Sequence, residues 1–285
     1  MSEYHNPVLL KESVDSLVIN ASGAYADATF GGGGHSAEIL RRLASDGRLI
    51  AFDRDADALA NAPDDERFLL IHNNYRFIHN YVLLEQPEGL DGVLADLGVS
   101  SHQFDTAERG FSFRQSAPLD MRMNIQGEKT AIDIVNSYTQ EELERILKIY
   151  GEVDNARRMA ALIATARESA PIRTTLDLDN AIAAALPVTA AHKVLAKVYQ
   201  ALRIEVNDEL RSLEKFLEGA TASLKSGGRM AIITYHSLED RMVKNYFRDD
   251  PSLRVITRKP VLPAESEIAV NTRARSAKLR VAEKI

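Results

Sequence analysis

Ala24-Tyr25-Ala26-Asp27-Ala28-Thr29-Phe30-Gly31-Gly32-Gly33-Gly34-His35-Ser36-Ala37 decides how the rest of this chain is read. The short apolar run Ala24 to Ala28 predicts a strand and the four glycines a tight turn. Ile39, Leu40 and Leu43 then lay an apolar stripe along a following helix. Strand, glycine turn and helix in this order open a βαβ unit of a parallel sheet. Glycines in the turn let a ligand approach the backbone, and the helix start offers unpaired N–H groups to an anion. Arg48 to Asp53 predicts the second strand. Its last residue, Asp53, lies 19 residues beyond Gly34, about where a carboxylate reaches ribose hydroxyls in a nucleoside-binding sheet.

Phe68 to His72 and Gly92 to Leu97 continue the rhythm, and the next comparable strand is Arg229 to Tyr235, after the turn Ser226-Gly227-Gly228. Between Leu97 and Arg229 lie 131 residues, whereas a crossover between parallel strands needs about a dozen, so most of the stretch reads as an insertion. Its pattern is helical. Thr139-Gln140-Glu141-Glu142 is a capping box ahead of the stripe Leu143, Ile146, Leu147 and Tyr150, and Ala156 to Glu168 is rich in Ala, Met and Arg. Thr175 is placed to cap a short helix ending before Pro187, and Ala190 to Leu224 keeps helical spacing as one long helix. The expected fold class is α/β: a Rossmann-like core in two parts, 1–110 and 198–285, around an inserted helical domain, 111–197.

The 285 residues are 45% hydrophobic and 27% charged, which excludes disordered, collagenous and coiled-coil classes. The chain has no cysteine. That excludes a disulfide framework, Cys-based zinc sites, iron–sulfur clusters and thiolate nucleophiles. A net charge of −6 argues against a polyanionic partner until it is divided by region. Residues 254–285 hold eight basic side chains against three acidic ones, so a +5 tail follows a −11 body. Such a tail is either a solvated face or a set of phosphate contacts. Met1 to Pro7 lack the features of a signal peptide and no apolar run reaches the ~18 residues of a membrane span, so a cytoplasmic protein away from membranes is expected.

Two cofactor classes fit the glycine turn. Gly32-x-Gly34-x-x-Ala37 matches the dinucleotide fingerprint, which keeps an NAD(P)-dependent oxidoreductase open. Against it, Asp27 precedes the glycines and a second polar loop, Asp96-Leu97-Gly98-Val99-Ser100-Ser101, follows the fourth strand. Both loops leave the carboxyl ends of parallel strands, so Asp96 faces the same crevice as Gly33 and Asp53. That arrangement suits S-adenosyl-L-methionine, with the ribose on Asp53 and the sulfonium methyl toward the Asp96 loop.

Seven segments resemble the motifs of the bacterial MraW/RsmH methyltransferases. They are 28–36, 52–55, 94–101, Glu108-Arg109-Gly110-Phe111-Ser112-Phe113, Pro118-Leu119-Asp120-Met121-Arg122-Met123, His236-Ser237-Leu238-Glu239-Asp240-Arg241 and Arg273-Ala274-Arg275-Ser276. They occur in family order along nearly the whole chain. The resemblance implies a Rossmann-like S-adenosylmethionine methyltransferase core with an inserted helical substrate-recognition domain. The implied activity is methylation of N4 of a cytidine in 16S ribosomal RNA of the small ribosomal subunit. It also implies cofactor contacts at Gly33, Gly34, His35, Asp53, Asp96 and Gln103, and at Tyr75, where the family often has Phe. A noncatalytic RNA-binding assembly factor on the same fold stays as an alternative, and a monomer and a homodimer are equally compatible with the sequence.

The chemistry itself is argued from residue types. Methyl transfer is an in-line displacement that needs alignment and exclusion of water rather than a metal. The exocyclic amine of cytosine is a poor nucleophile, and a carboxylate accepting its N–H bonds localises its lone pair. Asp96 is the candidate, assisted by carbonyls of Leu97, Gly98 and Val99. Cytosine C5 methylation generally needs a thiolate, so a chain without cysteine points to the nitrogen. For the substrate, Phe111, Phe113, Met121 and Met123 read either as a wall for base stacking or as insertion core. Asp120 and Arg122 read as contacts or as a surface pair. His236 and Ser237 read as site lining or, through Ser237-Leu238-Glu239-Asp240, as a helix cap. Arg273, Arg275, Lys278 and Arg280 nearly alternate in a strand-like tail, aimed at phosphates or protecting a solvated edge strand.

Overall fold

A strand buried on both faces needs apolar side chains at nearly every position, because successive residues point to opposite sides of the sheet. The runs at 24–28, 48–53 and 90–96 meet that demand. The computed structural model, which describes residues 7–285, makes them central strands. In chain order the elements begin with α1 (Leu10–Leu17), β1 (Ala24–Asp27), α2 (Gly34–Arg42), β2 (Arg48–Asp53), β3 (Phe68–His72), α3 (Ile78–Glu85) and β4 (Leu90–Asp96). Next come α4 (Ser101–Asp105), α5 (Ala131–Ser137), α6 (Gln140–Ile149), α7 (Ala156–Ser169), α8 (Thr175–Ile182) and α9 (Ala191–Asn207). The chain closes with α10 (Glu209–Ser223), β5 (Leu224–Thr234), α11 (Ser237–Asp249), β6 (Leu253–Val255), α12 (Glu265–Val270) and β7 (Lys278–Lys284).

Two compact units result. Residues 7–98 and 210–285 form the first, and Val99–Glu209 form the second. The first holds a seven-stranded sheet in the order β3-β2-β1-β4-β5-β7-β6, parallel from β3 to β5, with β7 antiparallel to both its neighbours. Alternation along the strands separates two cores. Ala26, Val93 and Ala95 face Ile78 and Val82 of α3, Phe216 and Leu217 of α10, and Val243 and Phe247 of α11. Tyr25 and Leu94 face Val14 and Leu17 of α1 and Ile39 and Leu40 of α2. A sheet covered on both faces leaves its strand ends as the accessible edge. Between β1 and β4 the strand order reverses, the place where open α/β sheets bind ligands.

The second unit is helical around Leu119, Met121, Ile134, Leu143, Ile146, Met159, Ile163, Leu178, Val198 and Leu202. Its α6 starts as the sequence predicts. Thr139 Oγ1 accepts the Glu142 N–H at 3.2 Å, and the Glu142 carboxylate accepts the Thr139 N–H at 2.7 Å. The unit extends twelve residues beyond the 111–197 span at either end. Val99 packs against its core, the Arg109 guanidinium donates to the carbonyls of Arg122 and Met123, and Tyr199, Ala201 and Leu202 of α9 are core residues. Helical spacing from 190 to 224 does not give one helix. Asp208 takes a left-handed conformation (φ 49, ψ 43) that ends α9, and Leu224 already belongs to β5. The end of α9 is tied down within its unit by Asn207, whose Oδ1 accepts from Met123 N and whose Nδ2 donates to Met121 O. The cap of α8 is Thr174 rather than Thr175. Thr174 Oγ1 accepts the Asp177 N–H, while Thr175 Oγ1 donates to Gln115 O.

Candidate active site

Three of the sheet's parallel strands end in aspartates, Asp27 on β1, Asp53 on β2 and Asp96 on β4. Asp27 is fully buried. Its Oδ2 accepts from Ser36 Oγ at 2.7 Å and its Oδ1 from Thr29 N–H at 3.1 Å, which ties β1 to the start of α2. Asp53 Oδ2 accepts the Gly31 N–H and Oδ1 the Asp55 N–H, both at 2.8 Å, so this carboxylate also holds the glycine loop in place. Asp96 Oδ1 accepts from the Tyr235 hydroxyl at 2.7 Å. Its own N–H donates to Thr29 Oγ1 at 2.7 Å, and Oδ2 lies 3.8 Å from His35 Nδ1.

Withdrawing these acids from water favours their protonated forms. Burial pushes the Asp96 carboxyl up to about 6. The His35 ring and the Tyr235 hydrogen bond pull it down, and the charges of Asp27 and Glu239 push it further up. Burial likewise raises Asp27 and Asp53, against hydrogen bonds that lower them. The Tyr235 phenol is raised well above its ordinary value by burial and by Asp96. The Asp96 side chain nonetheless keeps 22% of its surface exposed, so it is accessible to a ligand.

The glycine loop has its own constraints. Gly31 (φ +51) and Gly33 (φ +77) adopt left-handed backbone, and Gly33 stands at the N-cap of α2. A Cβ at Gly33 would sit 3.0 Å from the Phe30 ring, and one at Gly34 2.2 Å from Pro7 Cγ. The buried His35 ring contacts Val8 O through Nε2 at 3.1 Å. Tyr75, in a short 3-10 turn after β3, packs edge-on against Phe216 at 5.1 Å.

The other predicted residues of the sheet unit divide. His236, not Ser237, caps α11, its Nδ1 accepting the Glu239 N–H at 3.4 Å, and Ser237 is the exposed first residue of the helix. Arg273 and Arg275 occupy a 3-10 turn (Thr272–Ser276) rather than a strand, and Arg275 is exposed. The edge-strand reading of the tail is wrong. β7 lies between β5 and β6, and Arg280 and Lys278 pair with Asp240 at 2.7 and 3.2 Å.

In the helical unit, Gln103 is buried in a capping box with Ser100, its Oε1 accepting the Ser100 N–H. Phe111, Met121 and Met123 are core residues, 5%, 0% and 5% exposed, which removes them as a free stacking wall. Phe113 is half-buried between Tyr199 and His192. Arg122 is clamped on Asp120 through Nε and Nη2 at 2.9 and 2.7 Å and donates to Gly127 O, a loop clip rather than an open surface pair.

Comparison with known proteins adds the deciding observation: the model of the MraW methylase family matches residues 2–285. The chain belongs to the MraW methylase family. It is 50% identical to the ribosomal RNA small subunit methyltransferase H of Flavobacterium johnsoniae, covering 99% of this chain and 98% of the relative. It is 48% identical to the protein of the same name from Bacteroides thetaiotaomicron, covering 99% and 97%. An rRNA methylase structure from Streptococcus thermophilus aligns over 97% of this chain and 93% of its own at 13% identity and a TM-score of 0.45. This methylase is therefore an S-adenosylmethionine-dependent methyltransferase, and the oxidoreductase reading is set aside.

The residues present fit that cofactor. A glycine cradle at a helix start accepts a close ligand, and three strand-end carboxylates, Asp27 buried and Asp53 and Asp96 partly exposed, suit hydroxyl donors and cationic groups while opposing a pyrophosphate. Sequence reading of the methylase missed Tyr235, Thr29 and Glu239, whose carboxylate accepts the Tyr235 N–H at 2.9 Å. Tyr235 follows β5, and only the pairing of β5 with β4 brings it beside Asp96, so no run of residues marked it.

Proposed function

We propose that this methylase modifies the exocyclic N4 of a cytidine in 16S ribosomal RNA of the small ribosomal subunit, in the cytoplasm. The observation that carries the reading is Asp96, an accessible acid at the switch point of the sheet with one oxygen bound by Tyr235 and the other, 3.8 Å from His35 Nδ1, accepting no hydrogen bond from the described residues. The names of relatives near 50% identity over almost the full chain support the RNA class.

In this reading Gly33, Gly34, His35, Asp53 and Tyr75 hold the cofactor, and the role of Gln103 rests on the resemblance of its motif alone. S-adenosylmethionine supplies, when bound, an electrophilic methyl group on a sulfonium. Asp53 accepts ribose hydroxyls while keeping its hold on the glycine loop, because each carboxylate oxygen has two lone pairs. Ionised Asp96 accepts an N–H of the cytosine amine, localises the nitrogen lone pair and takes the proton that N4 loses as it gains the methyl group. His236, Ser237, Arg273 and Arg275 of the sheet unit and Phe113, Asp120 and Arg122 of the helical unit are the remaining candidates for RNA contact.

Incubation with labelled S-adenosylmethionine and small ribosomal subunits, followed by nucleoside mass spectrometry, tests the product. Label in N4-methylcytidine is expected. Label in 5-methylcytidine, or RNA binding with no incorporation by a chain that binds S-adenosylhomocysteine, contradicts the proposal.

A further inference from the structure

Tyr235, the residue after β5, makes three contacts that converge on the turn carrying Asp96. Its hydroxyl donates to Asp96 Oδ1 at 2.7 Å. Its ring lies against Gly98, where a Cβ would come within 3.2 Å of it and where φ is +112. Its N–H donates to Glu239 Oε2 at 2.9 Å, which anchors the tyrosine to the first turn of α11. The neighbouring bond from Leu97 N–H to Ile233 O, at 2.9 Å, carries the β4–β5 pairing one residue past Asp96. A carboxylate whose Oδ1 is committed to a phenol cannot rotate freely, so Oδ2 keeps a fixed direction.

We infer that Tyr235 is a positioning residue for methyl transfer, fixing the rotation of the Asp96 carboxylate and the course of the Asp96-Leu97-Gly98 turn so that Oδ2 meets the substrate amine. This rests on the reading of Asp96 as the amine's acceptor. Among the described residues, the titratable groups that act most strongly on Asp96 are Asp27 from the end of β1, His35 from α2, Tyr235 beyond β5 and Glu239 from α11. Of these, the Tyr235 hydroxyl is the one that donates a short hydrogen bond to the carboxylate, and donation to the ionised form favours it. Removing that hydroxyl therefore moves the Asp96 midpoint upward, while the phenyl ring still packs on Gly98.

Tyr235→Phe makes this separation. Carbon-13 carboxyl titration by NMR, which needs no substrate, is expected to find the Asp96 midpoint near 6 in the parent chain. The variant's midpoint lies about one pH unit higher. With small ribosomal subunits, kcat at neutral pH falls about tenfold, its acidic limb moves upward with the midpoint, and S-adenosylhomocysteine binds as before. Added to Asp96→Asn, Tyr235→Phe costs no further turnover, because its effect passes through the carboxylate. An unchanged midpoint and kcat in Tyr235→Phe, beside an Asp96→Asn variant that has lost turnover, overturns the role of Tyr235 alone. Full turnover by Asp96→Asn overturns the reading of Asp96 on which it stands.

Discussion

Asp96 binds its proton more tightly in the folded chain than in the unfolded one, because burial raises it from 3.8 to about 6. Above pH 6 both states are ionised and the buried charge costs folding free energy. As the pH falls from 6 toward 4 the folded chain takes up the proton first, so this group's contribution to stability rises on acidification. The shift corresponds to about 3 kcal/mol. Asp96→Asn is therefore expected to be more stable than the parent chain at pH 7 by up to about that amount, with the difference shrinking toward pH 4. Urea unfolding of both proteins at the two pH values measures it, and a variant less stable at pH 7 contradicts the account. Asp27, Asp53 and Asp96 were legible in the sequence because each ends a strand whose apolar run is unmistakable. Thr29 and Tyr235 were not, because their partners depend on which strands lie side by side.

Among the elements, β2 and β3 coincide with the runs Arg48 to Asp53 and Phe68 to His72, bounded by turn residues at both ends. The tail misled for a physical reason. Near-alternating cations from Arg273 to Arg280 look like a solvated edge strand, yet Asn271 starts a 3-10 turn by accepting the Arg273 N–H, and only then does β7 enter the sheet. Inside the sheet Arg280 is 7% exposed, and its guanidinium depends on Asp240 of α11. Removing one partner of a buried ion pair leaves an uncompensated charge, so Asp240→Ala is expected to destabilise the fold by about 3 kcal/mol in urea unfolding. A change below about 0.5 kcal/mol contradicts the structural role of this pair. The break at Asp208 was equally hidden, since the apolar spacing runs on from α9 into α10 while the backbone reverses hand at a single residue.

For the whole molecule, the sequence disclosed a split α/β core and a helical insertion, and it misplaced where the insertion begins and ends. Periodicity locates helices but not the core each one joins, and Val198, Tyr199 and Leu202 join the core of residues 99–209. The division of charge changes meaning as well. Of the eight cations in the +5 tail, Lys278 and Arg280 neutralise Asp240 and Arg254 pairs with Glu283, which leaves fewer for phosphates than the sequence count suggests. The central claim is that Asp96 activates the amine and is not merely part of the cofactor's seat. Single-turnover methyl transfer to small ribosomal subunits by Asp96→Asn, with S-adenosylhomocysteine affinity measured on the same preparation, tests it most directly. The account predicts affinity within about threefold of the parent chain and a rate at least about 100-fold lower. A parent-like rate at parent-like affinity would contradict it.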